Sequence, residues 1–141
     1  MIVWRPQMAV GNDAIDADHQ HLLTLLNDIE AALGEGASGT LLRQALTRLT
    51  EYTDFHFKRE ERLQRQIDYP DHADHAAKHA ALIVQLASII REIEALAIDP
   101  RRDPATVERV VALGRDWLIQ HILGEDLRMK PYFVGRSPAF T

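Results

Sequence analysis

Residues 42–67 read Leu42-Arg-Gln-Ala-Leu46-Thr-Arg-Leu49-Thr-Glu-Tyr-Thr53-Asp-Phe-His56-Phe-Lys-Arg-Glu60-Glu-Arg-Leu63-Gln-Arg-Gln-Ile67. Alternating steps of four and three lead from Leu42 through Leu46 and Leu49 to Leu63 and Ile67, the spacing of a helix face that packs into a bundle core. The same stripe passes through Thr53, His56 and Glu60. A core stripe interrupted by an imidazole and a carboxylate needs a chemical reason, because a buried polar group without a partner costs about 1–3 kcal/mol and a buried charge more.

The rest of the chain repeats the pattern. Breakers at Gly34, Gly36 and Gly39, at Asp68-Tyr69-Pro70, at Asp99-Pro100 with Asp103-Pro104, and at Pro131 with Gly135 leave four helical segments. They are predicted at about 13–33, 40–67, 71–97 and 104–129, with an N-terminal arm over 1–12 and a loose C-terminal tail over 130–141. Asp103 is expected to cap the fourth helix, with Pro104 in its first turn. The first segment carries Ile15, His19, Leu22, Leu26, Ile29 and Leu33 on one stripe. The third carries His75, His79, Leu82, Leu86, Ile89, Ile93 and Leu96, and the fourth Val107, Val110, Gly114, Trp117 and His121. Short connections make neighbours antiparallel, so the expected fold is all-α, an up-down-up-down four-helix bundle forming a single domain. In that topology the start of the first helix, the end of the second, the start of the third and the end of the fourth lie at one end. His19, His56 with Glu60, His75 with His79, and His121 therefore converge on one layer.

Composition narrows what the layer can do. The chain has 141 residues, a net charge of −5 and no cysteine. The cations Lys58, Arg59, Arg62 and Arg65 are interleaved with Glu60 and Glu61, so no nucleic-acid partner is expected. Without cysteine, any metal has N and O ligands. The N-terminus lacks the pattern of a signal peptide, and the apolar stretch Ala80 to Ile90 is broken by Gln85 and Ser88. A cytoplasmic protein without membrane insertion is expected.

A single core histidine with a hydrogen-bond partner is more common than a metal ligand. Five in one layer, with one or two carboxylates and no Lys or Arg on the stripes, require added positive charge, which metal ions supply. His56 and Glu60, like His75 and His79, are four apart on a helix and so chelate from one face. Six or seven N/O ligands exceed one tetrahedral zinc and suit two octahedral ions bridged by carboxylates, with iron ahead of manganese. The excess of neutral imidazole over carboxylate favours the reduced pair, and with it reversible O2 binding over oxygenation.

These residues resemble the hemerythrin family, specifically its single-domain bacterial members. The likeness runs from Trp4 to about Tyr132. It rests on Ile15-Asp16-Ala17-Asp18-His19, on Tyr52-Thr53-Asp54-Phe55-His56-Phe57-Lys58-Arg59-Glu60-Glu61, on Tyr69-Pro70 followed by His75 and His79, and on Trp117-Leu118-Ile119-Gln120-His121-Ile122 followed by Asp126. The resemblance implies two iron ions per chain. His75, His79 and His121 would hold one, and His19 and His56 the other, which keeps an open position for O2. Glu60 and Asp126 would bridge them together with a solvent-derived oxide or hydroxide, and Trp117 and Leu118 would line the O2 pocket. The implied function is O2 carriage, storage or delivery without enzymatic turnover. The alternatives are O2 or redox sensing through a separate partner, NO or peroxide reduction at the open iron, and metal storage.

Two positions test the spacing. His121 and Asp126 are five apart, which turns them about 140° from each other on a regular helix; a wide π-type turn near Gly124, or a reach inward from a fraying end, is required. His72 shares the stripe of His75, yet the resemblance leaves it out and its place in a first turn predicts exposure. His21 is expected to face water.

Overall fold

Local sequence sets the helix starts. Asn12, Ser38 and Asp103 each lie in extended backbone, and each side chain accepts a hydrogen bond from a main-chain N–H three residues on, at Ile15, Leu41 and Thr106. The helices that follow are α1 (Asp13–Ala32), α2 (Gly39–Gln66), α3 (His72–Ala95) and α4 (Pro104–Arg115). They are seen in a computed structural model that describes residues 1–34 and 36–141. The chain is an antiparallel four-helix bundle: α1 packs on α2, α2 on α3 and α3 on α4. Among the described residues no helix is long and apolar enough to cross a membrane.

The fourth helix departs from the sequence expectation. Regular α-helix ends at Arg115; residues Asp116–Leu123 form a π-helical segment, and Asp126–Met129 a 3-10 turn, before the short α5 (Lys130–Phe133). A π-helix advances more residues per turn than an α-helix, and the 3-10 turn then tightens the chain. Together they bring Asp126 inward behind His121. The wide turn is longer than expected and begins well before Gly124, and Asp126 is fully buried rather than at a frayed end.

The tail, expected to be loose, is mostly exposed but anchored at particular points. Phe133 is buried, the main-chain N–H of Asp13 donates to the Pro138 carbonyl at 2.8 Å, and the Asn12 amide donates to the Phe140 carbonyl at 2.5 Å. These contacts join residues more than a hundred positions apart, so no local periodicity announces them. The N-terminal arm is tied down as well: the Asn27 side chain both accepts from the Ile2 N–H and donates to the Ile2 carbonyl, each at 2.8 Å.

The buried apolar residues fall into two clusters. The larger fills the length of the bundle and includes Leu22, Leu26, Leu46, Leu49, Phe57, Leu86, Ile89, Leu113 and Trp117. The smaller closes one end with Val10, Ile15, Leu63, Ile67, Tyr69, Met129 and Phe133. On α1 the chain passes from Ile15 in the small cluster to Leu22 in the large one; on α2, from Leu63 to Phe57. The histidine and carboxylate layer lies at this crossing, with apolar packing above and below.

The exit from the π segment is sterically tight. A Cβ at Gly124 would stand 2.6 Å from the Gln120 carbonyl oxygen. Gly124→Ala is therefore expected to cost about 1–3 kcal/mol, read as a lowered denaturant midpoint. An unchanged midpoint would show that the turn relaxes around a methyl group at no cost.

Candidate metal centre

The seven residues singled out in sequence meet in space. His19 from α1, His56 and Glu60 from α2, His75 and His79 from α3, His121 from the π segment and Asp126 from the 3-10 turn are each no more than 3% exposed. Their ligand atoms form two groups, each within 4.8 Å. One contains His75, His79 and His121, the other His19 and His56, and Glu60 and Asp126 belong to both.

The carboxylates divide their oxygens between the groups. Glu60 Oε2 lies 3.0 Å from His56 Nε2 and 3.4 Å from His19 Nε2, while Oε1 lies 2.7 Å from His75 Nε2 and 3.3 Å from His79 Nε2. Asp126 Oδ2 lies 3.0 Å from His19 Nε2, while Oδ1 lies 3.0 Å from the Nε2 atoms of His75 and His121. His79 Nε2 and His121 Nε2 stand 3.0 Å apart. Despite these short distances, His19 Nε2, His56 Nε2, Glu60 Oε2 and both Asp126 oxygens have no hydrogen-bond partner. They are close enough to share a common ligand yet do not satisfy one another. Buried atoms so placed, all hard or borderline N and O donors, fit transition-metal ions, and either group could hold one.

Several residues that the sequence reading did not single out support this layer. Nδ1 of His56 is 2.9 Å from Asp18 Oδ2, and Nδ1 of His79 is 3.1 Å from Glu61 Oε2. These are the carboxylate–histidine contacts that orient ligands from behind. Asp18 and Glu61 lie on the flanks of the core stripes, where a helical wheel alone does not separate a solvated carboxylate from an inward one; the neighbouring helix supplies the partner. Phe57 stacks on His79 with ring centroids 3.7 Å apart and planes 5° from parallel, and also stacks on Trp117.

Trp117 is buried with its ring edge-on to His121, at a centroid separation of 5.3 Å. Leu118 is half-buried and lines an apolar cleft of about 300 Å³ between α1 and α4 with its π-helical continuation, together with Ile2, Leu26, Ile29 and Leu113. On the opposite flank a more polar groove of about 260 Å³, lined by Lys78, Gln85, Asp116, Gln120 and Glu125, reaches His121. His72 and His21 are exposed, and His21 lies against the Tyr52 ring.

The layer is strongly coupled. Burial disfavours protonation of His19 and His75, but the Asp126 and Glu60 carboxylates more than offset it and raise both rings from 6.5 to about 10. Burial also pushes Glu60 up, yet His56, His19 and His75 hold it well below 4.5. For Asp126, burial and the Glu60 charge act upward and are outweighed by His121 and His19, leaving it below 3.8. Without metal, protons thus act as the counter-ions. The histidine contributions to stability are complete below pH 6.5 and are lost as pH rises toward about 10; the carboxylate contributions are complete above 4.5 and are lost on acidification. Chelator-stripped protein is therefore expected to melt at its highest temperature between about pH 4.5 and 6.5. Metal-loaded protein should have its optimum at higher pH, since ligation requires deprotonated rings. A stripped protein whose melting temperature climbs steadily from pH 6.5 to 9 would contradict this balance.

An antiparallel four-helix bundle with a buried histidine–carboxylate layer at one end is a helical cation-binding domain. More closely, the chain belongs to the hemerythrin family: the family described as the hemerythrin HHE cation binding domain matches residues 10–133. The chain is similar to a bacteriohemerythrin of Stenotrophomonas maltophilia (strain R551-3), 27% identical over 126 residues that cover 89% of this chain and 77% of the relative. It is also similar to a bacteriohemerythrin of Ralstonia nicotianae, 28% identical over 138 residues (98% and 93%). The myohemerythrin of Riftia pachyptila is 26% identical over 128 residues (91% and 90%).

Proposed function

We propose that this protein binds O2 reversibly at a non-heme di-iron centre and serves in oxygen carriage, storage or delivery. The observation that carries the reading is the division of the Glu60 and Asp126 oxygens between a three-histidine and a two-histidine group. His75, His79 and His121 with one oxygen from each carboxylate offer five donors on one side. His19 and His56 with the other two oxygens offer four. The two-histidine position has one protein donor fewer and is the natural place for an external ligand. A pair of ferrous ions supplies the two electrons on which O2 binding draws.

The protein's own part is exclusion and positioning. Trp117 and Phe57 form an aromatic wall beside His121 and His79, and the two apolar clusters close the layer above and below, keeping bulk water and its protons from the site. Trp117 and Leu118 are the pocket residues on this reading. Among the described residues the core stripes hold no further acid or base to drive turnover, which supports binding rather than catalysis.

Anaerobic loading with iron should give two ions per chain, and admitting O2 to the reduced protein should produce a visible absorption that disappears on evacuation. Colour lost irreversibly through rapid oxidation would overturn carriage in favour of sensing or NO or peroxide reduction. His56→Ala and Glu60→Ala should each abolish binding of the ion pair, whereas His72→Ala should leave the iron content unchanged.

A further inference from the structure

One buried group takes no part in ligation. The Asp18 carboxylate, immediately before His19 on α1, is 3% exposed and meets three side chains from α2. Its Oδ1 accepts from the Tyr52 hydroxyl at 2.8 Å, its Oδ2 faces His56 Nδ1 at 2.9 Å, and Arg59 Nε stands 3.5 Å from Oδ2. The Arg59 guanidinium is itself held over the Phe55 ring, 4.6 Å from its centroid. Tyr52, His56 and Arg59 lie on successive turns of one helix face, so a single carboxylate of α1 gathers all three.

The contact dictates the state of His56. A carboxylate at Nδ1 requires the proton there, which leaves the Nε2 lone pair directed at the space beside Glu60 Oε2 and Asp126. The other histidine of that group, His19, has neither ring nitrogen hydrogen-bonded. In the three-histidine group the corresponding contact runs from His79 to Glu61, whose side chain is 27% exposed and screened by water. Each metal position thus has one carboxylate-backed histidine, and only the backing of His56 is dry. Tyr52 and Arg59 explain how a third carboxylate is tolerated so near Glu60 and Asp126: one fixes its rotamer, the other neutralises it.

We propose that Asp18, clamped by Tyr52 and Arg59, is the positioning residue that fixes the tautomer and direction of His56 and so sets metal affinity and redox poise at the two-histidine position independently of the three-histidine one. The inference rests on the two-metal reading given above. A histidine hydrogen-bonded to a buried carboxylate is a more basic ligand and favours the oxidised metal, and loss of such backing typically weakens metal binding about 10–100-fold.

The test uses cobalt(II), which reports ligand geometry in its visible spectrum, on the full chain and on Asp18→Asn, Tyr52→Phe and Glu61→Gln, with helicity followed by circular dichroism. Potentiometric titration of the iron-loaded proteins runs in parallel. Wild type should take two ions. Asp18→Asn should keep one at unchanged affinity and bind the second about 10–100-fold more weakly, with one of the two midpoint potentials moving up and the other constant. Tyr52→Phe should shift the same ion in the same direction by less, and Glu61→Gln should spare it. Two unchanged affinities and potentials in both Asp18→Asn and Tyr52→Phe would overturn the proposal, as would equal weakening of both ions in a variant that keeps its helicity. A wild type that takes fewer than two ions would overturn the two-metal reading itself and the inference with it.

Discussion

Two carboxylates buried beside each other, with no Lys or Arg in reach of their oxygens, are the condition on which the rest of this molecule depends. Glu60 and Asp126 are both fully buried, and each turns one oxygen to either side. Such a pair repels itself and is stripped of water, so it persists only if positive charge is delivered between and around it. Five imidazoles can bring that charge as protons, which explains the raised rings of His19 and His75. Divalent cations held there would bring more of it and in fixed directions. The bundle is therefore organised around a layer that would disrupt an ordinary core.

Everything about the surrounding fold serves to hold that layer still. The chain leaves α-helical geometry only where regular geometry would misplace Asp126, and it does so with a π segment followed by a tight turn. Apolar packing lies on both sides, and the smaller cluster is assembled from pieces remote in sequence: Val10 before α1, Tyr69 in the α2–α3 turn, and Met129 and Phe133 near the end. Each group with its two carboxylates draws on three parts of the chain: α2, α3 and the stretch after α4 for the three-histidine group, and α1, α2 and that same stretch for the two-histidine group.

Much of this was legible in the sequence. Stripes with polar interruptions identified His19, His56, Glu60, His75, His79 and His121 as core residues, and antiparallel topology alone brought them to one end. Asp126 was not legible from periodicity, because five residues separate it from His121 and only the departure from α-helix reconciles them. Asp18 and Glu61 were invisible for a related reason. A helical wheel records which way a side chain leaves its own helix, and these two face a neighbour whose rotation about its axis the wheel does not contain. The anchored tail escaped notice because its contacts, Asp13 with Pro138 and Asn12 with Phe140, are long-range and partly through the main chain, which carries no side-chain signature.

That tail fastens to the first turn of α1, just ahead of His19, and covers the end of the bundle where the ligands lie. An ion leaving by that end would need the chain to unpeel from residue 140 back toward Met129, a local opening far smaller than unfolding of the bundle. Exchange by that route would depend on a few contacts at the hem of the fold, whereas the strength of holding would depend on the layer itself. A weakened tail would then shorten retention without altering affinity.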